Sequence, residues 1–368
     1  MSWLPPVPQT AVDGSGRTWH IHRAWADRTP GDYALEVVAP GQPGVRGAQL
    51  RSGHFELLSG YDPGLPAFQE EARQGVVICH RPHKRAVIRA DGCYIKIFEP
   101  GAAVVPAERC AQTDLVLAPN IFDVPKILRS SPDVLVFSTV PGRTLGDLGL
   151  DTTTVSDEAL ARAWDKWTQA WTAQVGGRYD AARRRALGTL PLHPPEAEVS
   201  DLWRWVNRWL RHYKNVPEAS AQGEALWARA EEVARDLLEA EPDPLVWSHG
   251  DLHDNQILTT GGAAPLGLLD FDDTAQAEAA RDLANMDVLL ELRVRKSRIT
   301  PARYLTVHNQ ILAAAEELHV SPGRFQTYSD VVWLRKACSP LPRRSSMALD
   351  ILTARAVHRG RRAQELMT

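Results

Sequence analysis

The sequence predicts an α+β protein of two lobes, with a β-rich first half and a mostly helical second half. Short β-type runs punctuated by Gly and Pro occupy residues 18–60 and 76–98, whereas residues 155–240 are rich in Ala, Arg, Glu and Trp at helical spacing. A small group of β-type runs returns after Pro244, and the pattern is helical again from Arg281 onward. This order differs from the alternating strands and helices that build a parallel sheet.

Composition and charge exclude several classes of protein. The chain has 368 residues, of which 44% are hydrophobic and 24% charged, so it is long enough to bury a substantial core. Its formal charge of -3 argues against a protein that binds nucleic acid by neutralising phosphates. No apolar run reaches the length of a membrane span, and the first residues lack the features of a secretory signal. We therefore expect a cytoplasmic protein without a nucleic-acid or membrane partner, and the oligomeric state stays open.

Residues 1–75 predict a β-rich extension ahead of the first lobe. Four β-type runs in this region, TWHIHRAW, YALEVVAP, VRGAQLR and HFELLSG, alternate with turn residues as in a β-meander. This segment is expected to cap the small lobe, to mediate dimerisation or to do neither. A β-rich N-terminal lobe is predicted for residues 76–140 and a helical C-terminal lobe for residues 141–368, because the β-rich pattern ends at a Pro-Gly pair.

Tryptophans in the helical lobe are interpreted as core residues. Trp164, Trp167 and Trp171 recur at the spacing of one helix face, and a second set follows at Trp205 and Trp209. The alternative is a sugar or cation site built from aromatic rings. Helical spacing favours the core.

The chemistry is concentrated in two stretches, WSHGDLHDNQIL at 247–258 and GLLDFDDTAQAEAARDLAN at 267–285. Singly, residues such as Asp251 and Asp270 are most often turn residues. Together, a His-x-Asp turn, a side-chain carbonyl five residues after the Asp, and a later Asp at the end of a hairpin place two carboxylates and a carbonyl at one cleft edge. Phosphoryl transfer needs one carboxylate to take the proton of the attacking hydroxyl and hard oxygen ligands for Mg²⁺.

At these residues the sequence resembles the aminoglycoside phosphotransferase and choline kinase group, small-molecule kinases with a two-lobed protein-kinase-like fold. The catalytic loop of that group reads H-G-D-x-H-x-x-N, and residues 249–256 here read HGDLHDNQ. The resemblance implies that Asp251 is the catalytic base and that His249 supports the loop. It also implies that Asp270 is the principal Mg²⁺ ligand, and that Asp282, in a matching Asp-Leu-Ala run, steadies the catalytic loop.

The catalytic loop departs from the family pattern at two positions. Gln256 stands where the family has Asn, and Asn255 stands where the family often has Gly. Because Asn tolerates left-handed backbone geometry, Asn255 is expected to replace the Gly in the turn. Gln256 keeps a carbonyl oxygen on a longer side chain, so it is expected to remain a metal ligand, and some relatives of actinobacterial type share a Gln there.

In the N-terminal lobe, the resemblance implies that Lys96 of the strand CYIKIF binds the α- and β-phosphates of the nucleotide. The alternative is an edge-strand lysine that blocks aggregation. The expected partner of Lys96 is Glu108 on the next helix, with Glu99 as the second choice. The hairpin at 77–90 would cover the phosphates, yet its turn contains no glycine, which argues against a protein kinase.

The run DVLVFSTVPGRTL resembles the segment that joins the lobes in this group. The resemblance implies that Phe137 lines the back of the adenine pocket and that the backbones of Ser138 and Val140 bind the base. The alternative is a buried strand and turn without a nucleotide role.

The resemblance covers roughly residues 76–340 and implies a Mg²⁺-dependent kinase. We expect it to transfer the γ-phosphoryl group of ATP or GTP to a hydroxyl of an amino sugar, an aminoglycoside-like antibiotic or another polar natural product. One alternative is a metabolic kinase of choline, an amino alcohol or a free sugar. Another is a nucleotide-binding pseudokinase with a regulatory role, suggested by Gln256 and the Lys96–Glu108 pair; the presence of both Asp251 and Asp270 favours an enzyme.

Overall fold

The structure, a computed structural model, describes the backbone of residues 5–366 and the side chains of residues 5–355. The N-terminal region forms a five-stranded antiparallel sheet with its strands in chain order, as the predicted meander requires. Its strands are β1 (Thr10–Val12), β2 (Thr18–Ala26), β3 (Tyr33–Val38), β4 (Arg46–Arg51) and β5 (His54–Leu57). Tyr33, Leu35 and Val37 alternate along β3 and are buried, because every second side chain of a strand points to the same face.

A second antiparallel sheet of five strands forms the N-terminal lobe, in the order β10-β11-β8-β7-β6. Its strands are β6 (Gly75–Arg81), β7 (Arg85–Ala90), β8 (Cys93–Phe98), β10 (Ile127–Ser130) and β11 (Val134–Ser138). The short helix α1 (Phe68–Glu71) precedes this sheet, and Phe68 packs into its core. Helix α2 (Val104–Val116) and the short strand β9 (Phe122–Asp123) connect β8 to β10.

The second half of the described chain is mostly helical. Its helices are α3 (Leu145–Leu150), α4 (Asp157–Val175), α5 (Ala181–Leu187), α6 (Pro195–Tyr213), α7 (Ser220–Glu239), α8 (Ala279–Arg295), α9 (Pro301–Glu317), α10 (Pro322–Ala337) and α11 (Pro342–Leu366). In the part of the chain that the structure describes, none of the helices is long and apolar enough to cross a membrane. The α+β class, with its β-rich first half and helical second half, is confirmed.

Two small sheets within this lobe carry the two chemical stretches of the sequence. The first contains β12 (Arg143–Thr144), β14 (Ile257–Thr259) and β15 (Leu266–Leu268), with β9 pairing to β15 in parallel. The second pairs β13 (Leu245–Ser248) with β16 (Ala275–Glu278). The loop from β13 to β14 and the loop from β15 to β16 therefore start and end in the same small sheets, which brings residues 249–256 next to residues 269–274.

The tryptophans of α4 form the core of the helical lobe. Trp164, Trp167 and Trp171 are at most 1% exposed, and the rings of Trp167 and Trp171 stack with centroids 6.1 Å apart. Trp171 also contacts Trp247 of β13 at 5.5 Å between centroids. The interpretation as core residues is confirmed for these three and for Trp209, which is 3% exposed, but it is wrong for Trp205, which is 37% exposed. The packing of Trp171 on Trp247 fixes the strand that leads into the catalytic loop.

The N-terminal sheet contacts both lobes. Its buried residues belong to the same hydrophobic cluster as those of the helical lobe, and the hydroxyls of Tyr33 and Tyr213 lie 3.0 Å apart. On the other side, the backbone N–H of Val45 donates to the carbonyl of Val77 in β6 at 2.9 Å. The sheet thus bridges α6 and the edge strand of the N-terminal lobe.

Candidate active site

The catalytic loop is held by the start of α8. The carboxylate of Asp282 accepts hydrogen bonds from the backbone N–H groups of His249, at 2.7 Å, and Gly250, at 2.9 Å. Gly250 has a φ of +87°, and a Cβ there would lie 2.0 Å from the carbonyl oxygen of Asp273. Only glycine fits at this crossing. Asp282 therefore holds the backbone of the catalytic loop at His249 and Gly250.

His249 connects the catalytic loop to the segment that leads to Asp270. Its fully buried ring donates from Nε2 to the carbonyl of Leu269 at 2.8 Å. Because this bond fixes the ring, the backbone just before Asp251 and the backbone just before Asp270 are held together.

Asp251 is half-buried, and its carboxylate makes no hydrogen bond or ion pair with any residue that the structure describes. The negative charge of Asp251 still affects Asp273. Burial is the main cause that raises the pKa of the Asp273 carboxyl, and the charge of Asp251 is the second. A carboxylate in this state is free to accept a hydrogen bond from an incoming hydroxyl group.

Lys96 lies at the centre of an ion-pair cluster. Its Nζ donates to Asp270 Oδ1 at 2.6 Å and to Asp272 Oδ1 at 2.9 Å, and it lies 5.4 Å from the ring centroid of Phe137. Burial alone would lower the pKa of Lys96, but the two carboxylates raise it above its usual range. Lys96 is therefore a permanent positive charge beneath the N-terminal lobe.

The two carboxylates of this cluster, Asp270 and Asp272, have pKa values shifted in opposite directions. Burial opposes ionisation of Asp270, but the charges of Lys96 and Arg85 hold the pKa of this carboxyl well below its usual range. Burial and the nearby charge of Asp270 raise the pKa of Asp272, which also accepts a hydrogen bond from Arg85 at 3.2 Å. Asp270 has a φ of +69°, in the left-handed region that Asp and Asn tolerate better than other residues with a Cβ.

The predicted partner of Lys96 is not found beside it. Glu108 lies in the early part of α2 and is exposed, and Glu99 pairs instead with Lys84 at 2.6 Å. The structure replaces both with Asp270 and Asp272, which approach Lys96 from the other lobe. The run DFDD carries three aspartates, and the resemblance to the family points only to the first of them, Asp270.

Gln256 occupies a capping box at the end of the catalytic loop. Its side-chain oxygen accepts a hydrogen bond from the backbone N–H of His253 at 3.1 Å, and the residue is 4% exposed. An amide oxygen has two lone pairs, so one is left for a cation. Asn255 has no left-handed φ, contrary to the expectation that it replaces a glycine in the turn. It lies in a short 3-10 helix, and a Cβ at Gly146 would lie 2.1 Å from its Oδ1.

These positions lead to a prediction about the metal ligand. We expect Gln256→Asn to retain part of the activity and Gln256→Leu to lose far more, because leucine supplies no oxygen to a cation that demands near-octahedral oxygen geometry. Steady-state rates over a range of Mg²⁺ concentrations measure the difference. Asn255→Ala is the matched control. Loss of activity in Asn255→Ala with a silent Gln256→Leu would mean that Asn255 is the ligand.

The segment that joins the lobes agrees only partly with its predicted contacts. Phe137 is buried beside Lys96, and no hydrogen bond within the described residues uses the backbone of Val140. The backbone N–H of Ser138, however, donates to the carbonyl of Lys126 at 2.8 Å. Because the end of β11 pairs with the residue before β10, the N–H of Ser138 is not available to a base.

The turn between β6 and β7 is tied to the N-terminal extension by Asp62. This fully buried carboxylate accepts hydrogen bonds from His80 Nε2 at 2.9 Å, from His83 Nδ1 at 2.6 Å and from the His83 backbone N–H at 2.9 Å. Burial alone would raise the pKa of Asp62, but the hydrogen bonds from His80 and His83 lower it to about 2. The turn that is predicted to cover the nucleotide phosphates is therefore anchored from outside the N-terminal lobe.

We expect Asp62→Asn to destabilise the protein by about 1.5–3 kcal/mol, the usual contribution to stability of a hydrogen bond to a charged group. Because the pKa of Asp62 is lowered, this stabilisation is present above about pH 4, the usual carboxyl range, and is lost as the pH falls towards 2. Thermal unfolding at pH 7 and the KM for ATP are the measurements, and KM is expected to rise. Asp91→Asn, in the exposed turn after β7, is the control. Equal stability of the two variants would contradict the anchoring role.

The donor set fits Mg²⁺ better than a metal that needs many protein ligands. No group of three or more His, Cys, Asp or Glu side chains among the described residues has an arrangement that holds a metal. Mg²⁺ in kinases takes only one or two protein oxygens and completes its coordination with phosphates and water. Asp270 and the free lone pair of Gln256 meet that requirement.

The chain belongs to the phosphotransferase enzyme family, whose model matches residues 84–289. This segment contains Lys96, Asp251 and Asp270, so the resemblance seen in the catalytic motifs is confirmed. The protein is accordingly a small-molecule phosphotransferase that acts on hydroxyl groups.

Distant likenesses to solved structures accompany this match. A glucosamine kinase solved with glucosamine, ADP and inorganic phosphate has 16% identity and a TM-score of 0.46, with 95% of each chain covered. The macrolide 2'-phosphotransferase MphH from Brachybacterium faecium has 18% identity and a TM-score of 0.42, over 76% of this chain and 89% of that one. The aminoglycoside phosphotransferase APH(3'')-Id from Streptomyces rimosus has 18% identity and a TM-score of 0.42, over 68% and 89%. A search of curated proteins found no match.

Proposed function

We propose that this phosphotransferase moves the γ-phosphoryl group of ATP or GTP to a hydroxyl of a polar natural product, a class that includes amino sugars and aminoglycoside-like antibiotics. The observation that carries the proposal is the convergence of two groups on neighbouring loops: Asp251, which has no partner among the described residues, and the Lys96–Asp270–Asp272 cluster. One carboxylate is free for the acceptor, and the other groups are arranged for the phosphates.

In this reaction the acceptor oxygen forms a bond to the γ-phosphorus, and the bond from that phosphorus to the bridging oxygen of the nucleoside diphosphate breaks. Asp251 orients the hydroxyl and takes its proton. Lys96 supplies a fixed positive charge for the α- and β-phosphates. Mg²⁺, when bound, would be held by Asp270 and Gln256 and would neutralise phosphate charge. His249 and Asp282 keep the catalytic loop in place.

A second candidate function is a nucleotide-binding regulatory module without transfer activity. It is favoured by one observation, that the Gln256 oxygen already accepts a hydrogen bond within its own loop. A metabolic kinase of choline, an amino alcohol or a free sugar would use the same groups with a different acceptor.

The test is release of ADP by the purified protein with Mg²⁺·ATP, measured against antibiotics, sugars and amino alcohols that raise the melting temperature in the presence of nucleotide. We expect at least one acceptor to stimulate ADP release, and Asp251→Asn to abolish the stimulation. Nucleotide binding without stimulation by any acceptor, and without basal hydrolysis, would support the regulatory module instead.

A further inference from the structure

A group of positively charged side chains beside the catalytic loop has no role in the mechanism above. We call it the basic cluster. Its members are Lys296 and Arg298 in the loop after α8, Lys336 in the last turn of α10, and Arg344 in the first turn of α11.

Hydrogen bonds place the end of α10 next to Asp251. Arg335 donates to Asn285 Oδ1 at 2.6 Å, and Asn285 Nδ2 donates to the carbonyl of Leu252 at 2.9 Å. Leu252 directly follows Asp251, and Lys336 directly follows Arg335. The last turn of α10 is thereby held against the residue after the catalytic base.

The other members are brought to the same place by α8 and α11. Asn285 and Arg293 lie in α8 and Lys296 caps its end, and at about 100° per residue the separations of 8 and 11 residues put all three within an arc of about 80° on one side of the helix. Arg293 shows that this side of α8 faces the catalytic loop, because its side chain donates a hydrogen bond to Asp254 of that loop at 2.7 Å. The hydroxyl of Ser345 donates to the carbonyl of Ala337 at 2.6 Å, which fixes the start of α11 on the end of α10.

Among the described residues, no carboxylate forms an ion pair with the basic cluster. None of its four side chains forms an ion pair or side-chain hydrogen bond with a residue that the structure describes, and the Nε atom of Arg344 is buried without a partner. Other buried arginines in this lobe are paired, as Arg324 is with Glu278 at 2.8 Å. Leaving the half-buried guanidinium of Arg344 unpaired costs free energy, and a ligand of opposite charge would offset that cost.

The pKa shifts of the individual side chains also indicate that the positive charges of the basic cluster lie close together. Burial and then the charges of Arg335 and Arg344 lower the pKa of Lys336 to about 7, with Asp251 as the opposing negative charge. Burial, Arg344 and Arg298 lower the pKa of Lys296 to about 8. The charges that act on Arg344 itself are those of Arg23, from β2, and Arg298. The members therefore repel one another in the free protein.

We propose that the basic cluster binds an anionic group of the acceptor, a carboxylate, sulfate or phosphate, while Asp251 receives the acceptor's hydroxyl. This inference rests on the proposed function and narrows its substrate class. A polycationic aminoglycoside would place like charges together, which disfavours binding. An acceptor with both a hydroxyl and an oxyanion meets Asp251 and the basic cluster at the same time.

The first experiment measures anion binding without catalysis. Inorganic sulfate is titrated calorimetrically into the protein saturated with Mg²⁺·ADP, at pH 6.5. We expect binding that weakens at least 10-fold in Lys336→Met and in Arg344→Gln. The matched control is Arg343→Gln, which removes the neighbouring exposed arginine and is expected to bind sulfate as the wild type does. Since Lys336 has a pKa near neutrality, sulfate affinity should also fall as the pH rises from 6 to 8.5.

Absence of sulfate binding, or equal binding in all variants, would overturn the inference and leave the proposed function untouched. Two substitutions are used because Arg344→Gln removes a partly buried side chain and its folding has to be checked by melting temperature. Lys336→Met carries the test if Arg344→Gln does not fold.

The second experiment separates the inference from the proposed function by turnover. Glucuronate, glucose and glucosamine share a ring and differ in charge, and ADP release is measured with each. We expect the highest kcat/KM with glucuronate, and an increase in its KM of at least 10-fold in Lys336→Met with a smaller change in kcat. Better turnover of glucose or glucosamine would overturn the inference but support transfer. A fall in kcat alone would mean that Lys336 acts on the transferred phosphoryl group, and would also overturn it.

Discussion

Asp251→Asn is expected to reduce phosphoryl transfer by about 100- to 10,000-fold, the usual contribution of a general base, and to change nucleotide affinity by no more than a few-fold. The asparagine keeps the size and polarity of the side chain but cannot take the proton of the acceptor hydroxyl. Asp251 forms no hydrogen bond or ion pair with Lys96, Asp270 or Asp272 in the described structure, so the phosphate-binding cluster is expected to stay intact. Rates with the acceptor and equilibrium binding of Mg²⁺·ATP give the two numbers.

The control for this variant is Asp273→Asn, which changes a nearby carboxyl in the next loop and keeps Asp251. It is expected to retain most of the activity. Wild-type turnover in Asp251→Asn with the true acceptor would show that the catalytic base is another group.

Asp270→Asn is expected to lower kcat/KM by more than about 100-fold and to weaken Mg²⁺·nucleotide binding in parallel, because a lost anionic group leaves phosphate charge uncompensated. Asparagine is preferable to alanine here, since the φ of +69° at this position is tolerated by Asn and strained for Ala. Binding of ATP with and without Mg²⁺ measures the metal-dependent part.

The comparison with Asp272→Asn distinguishes a metal ligand from a partner of Lys96. Both carboxylates pair with Lys96, so both variants lose one ion pair. Only Asp270→Asn is expected to abolish the Mg²⁺ dependence of nucleotide binding. Unchanged Mg²⁺ dependence in Asp270→Asn would contradict its assignment as the metal ligand.

Much of the candidate site could be predicted from the sequence because its residues are close together in the chain. One loop carries His249, Asp251 and Gln256, so their spacing in the sequence is enough to predict that they lie close together. Asp282 could be located through the resemblance, because its Asp-Leu-Ala run matches the family pattern. The roles of Asp251, Asp270 and Gln256 in the reaction stay predictions.

The remaining errors concern contacts between lobes. Lys96 was located by its strand, but its partner Asp270 is 174 residues away, and no local pattern connects two such positions. Chain order points to Glu108, on the helix that follows Lys96, but the position of α2 leaves Glu108 exposed. The basic cluster was invisible for the same reason, since its members come from three separate segments of the helical lobe.

The bridge formed by the N-terminal sheet has a consequence for the reaction cycle. Opening the cleft between the lobes would have to stretch a sheet that is attached to the turn over the nucleotide through Asp62 and to α6 through Tyr33. Such a tether shortens the range of lobe motion and keeps the cleft preorganised, so little of the nucleotide's binding energy is spent on ordering the protein. The same tether would slow the escape of ADP, and product release rather than chemistry would then set the turnover rate.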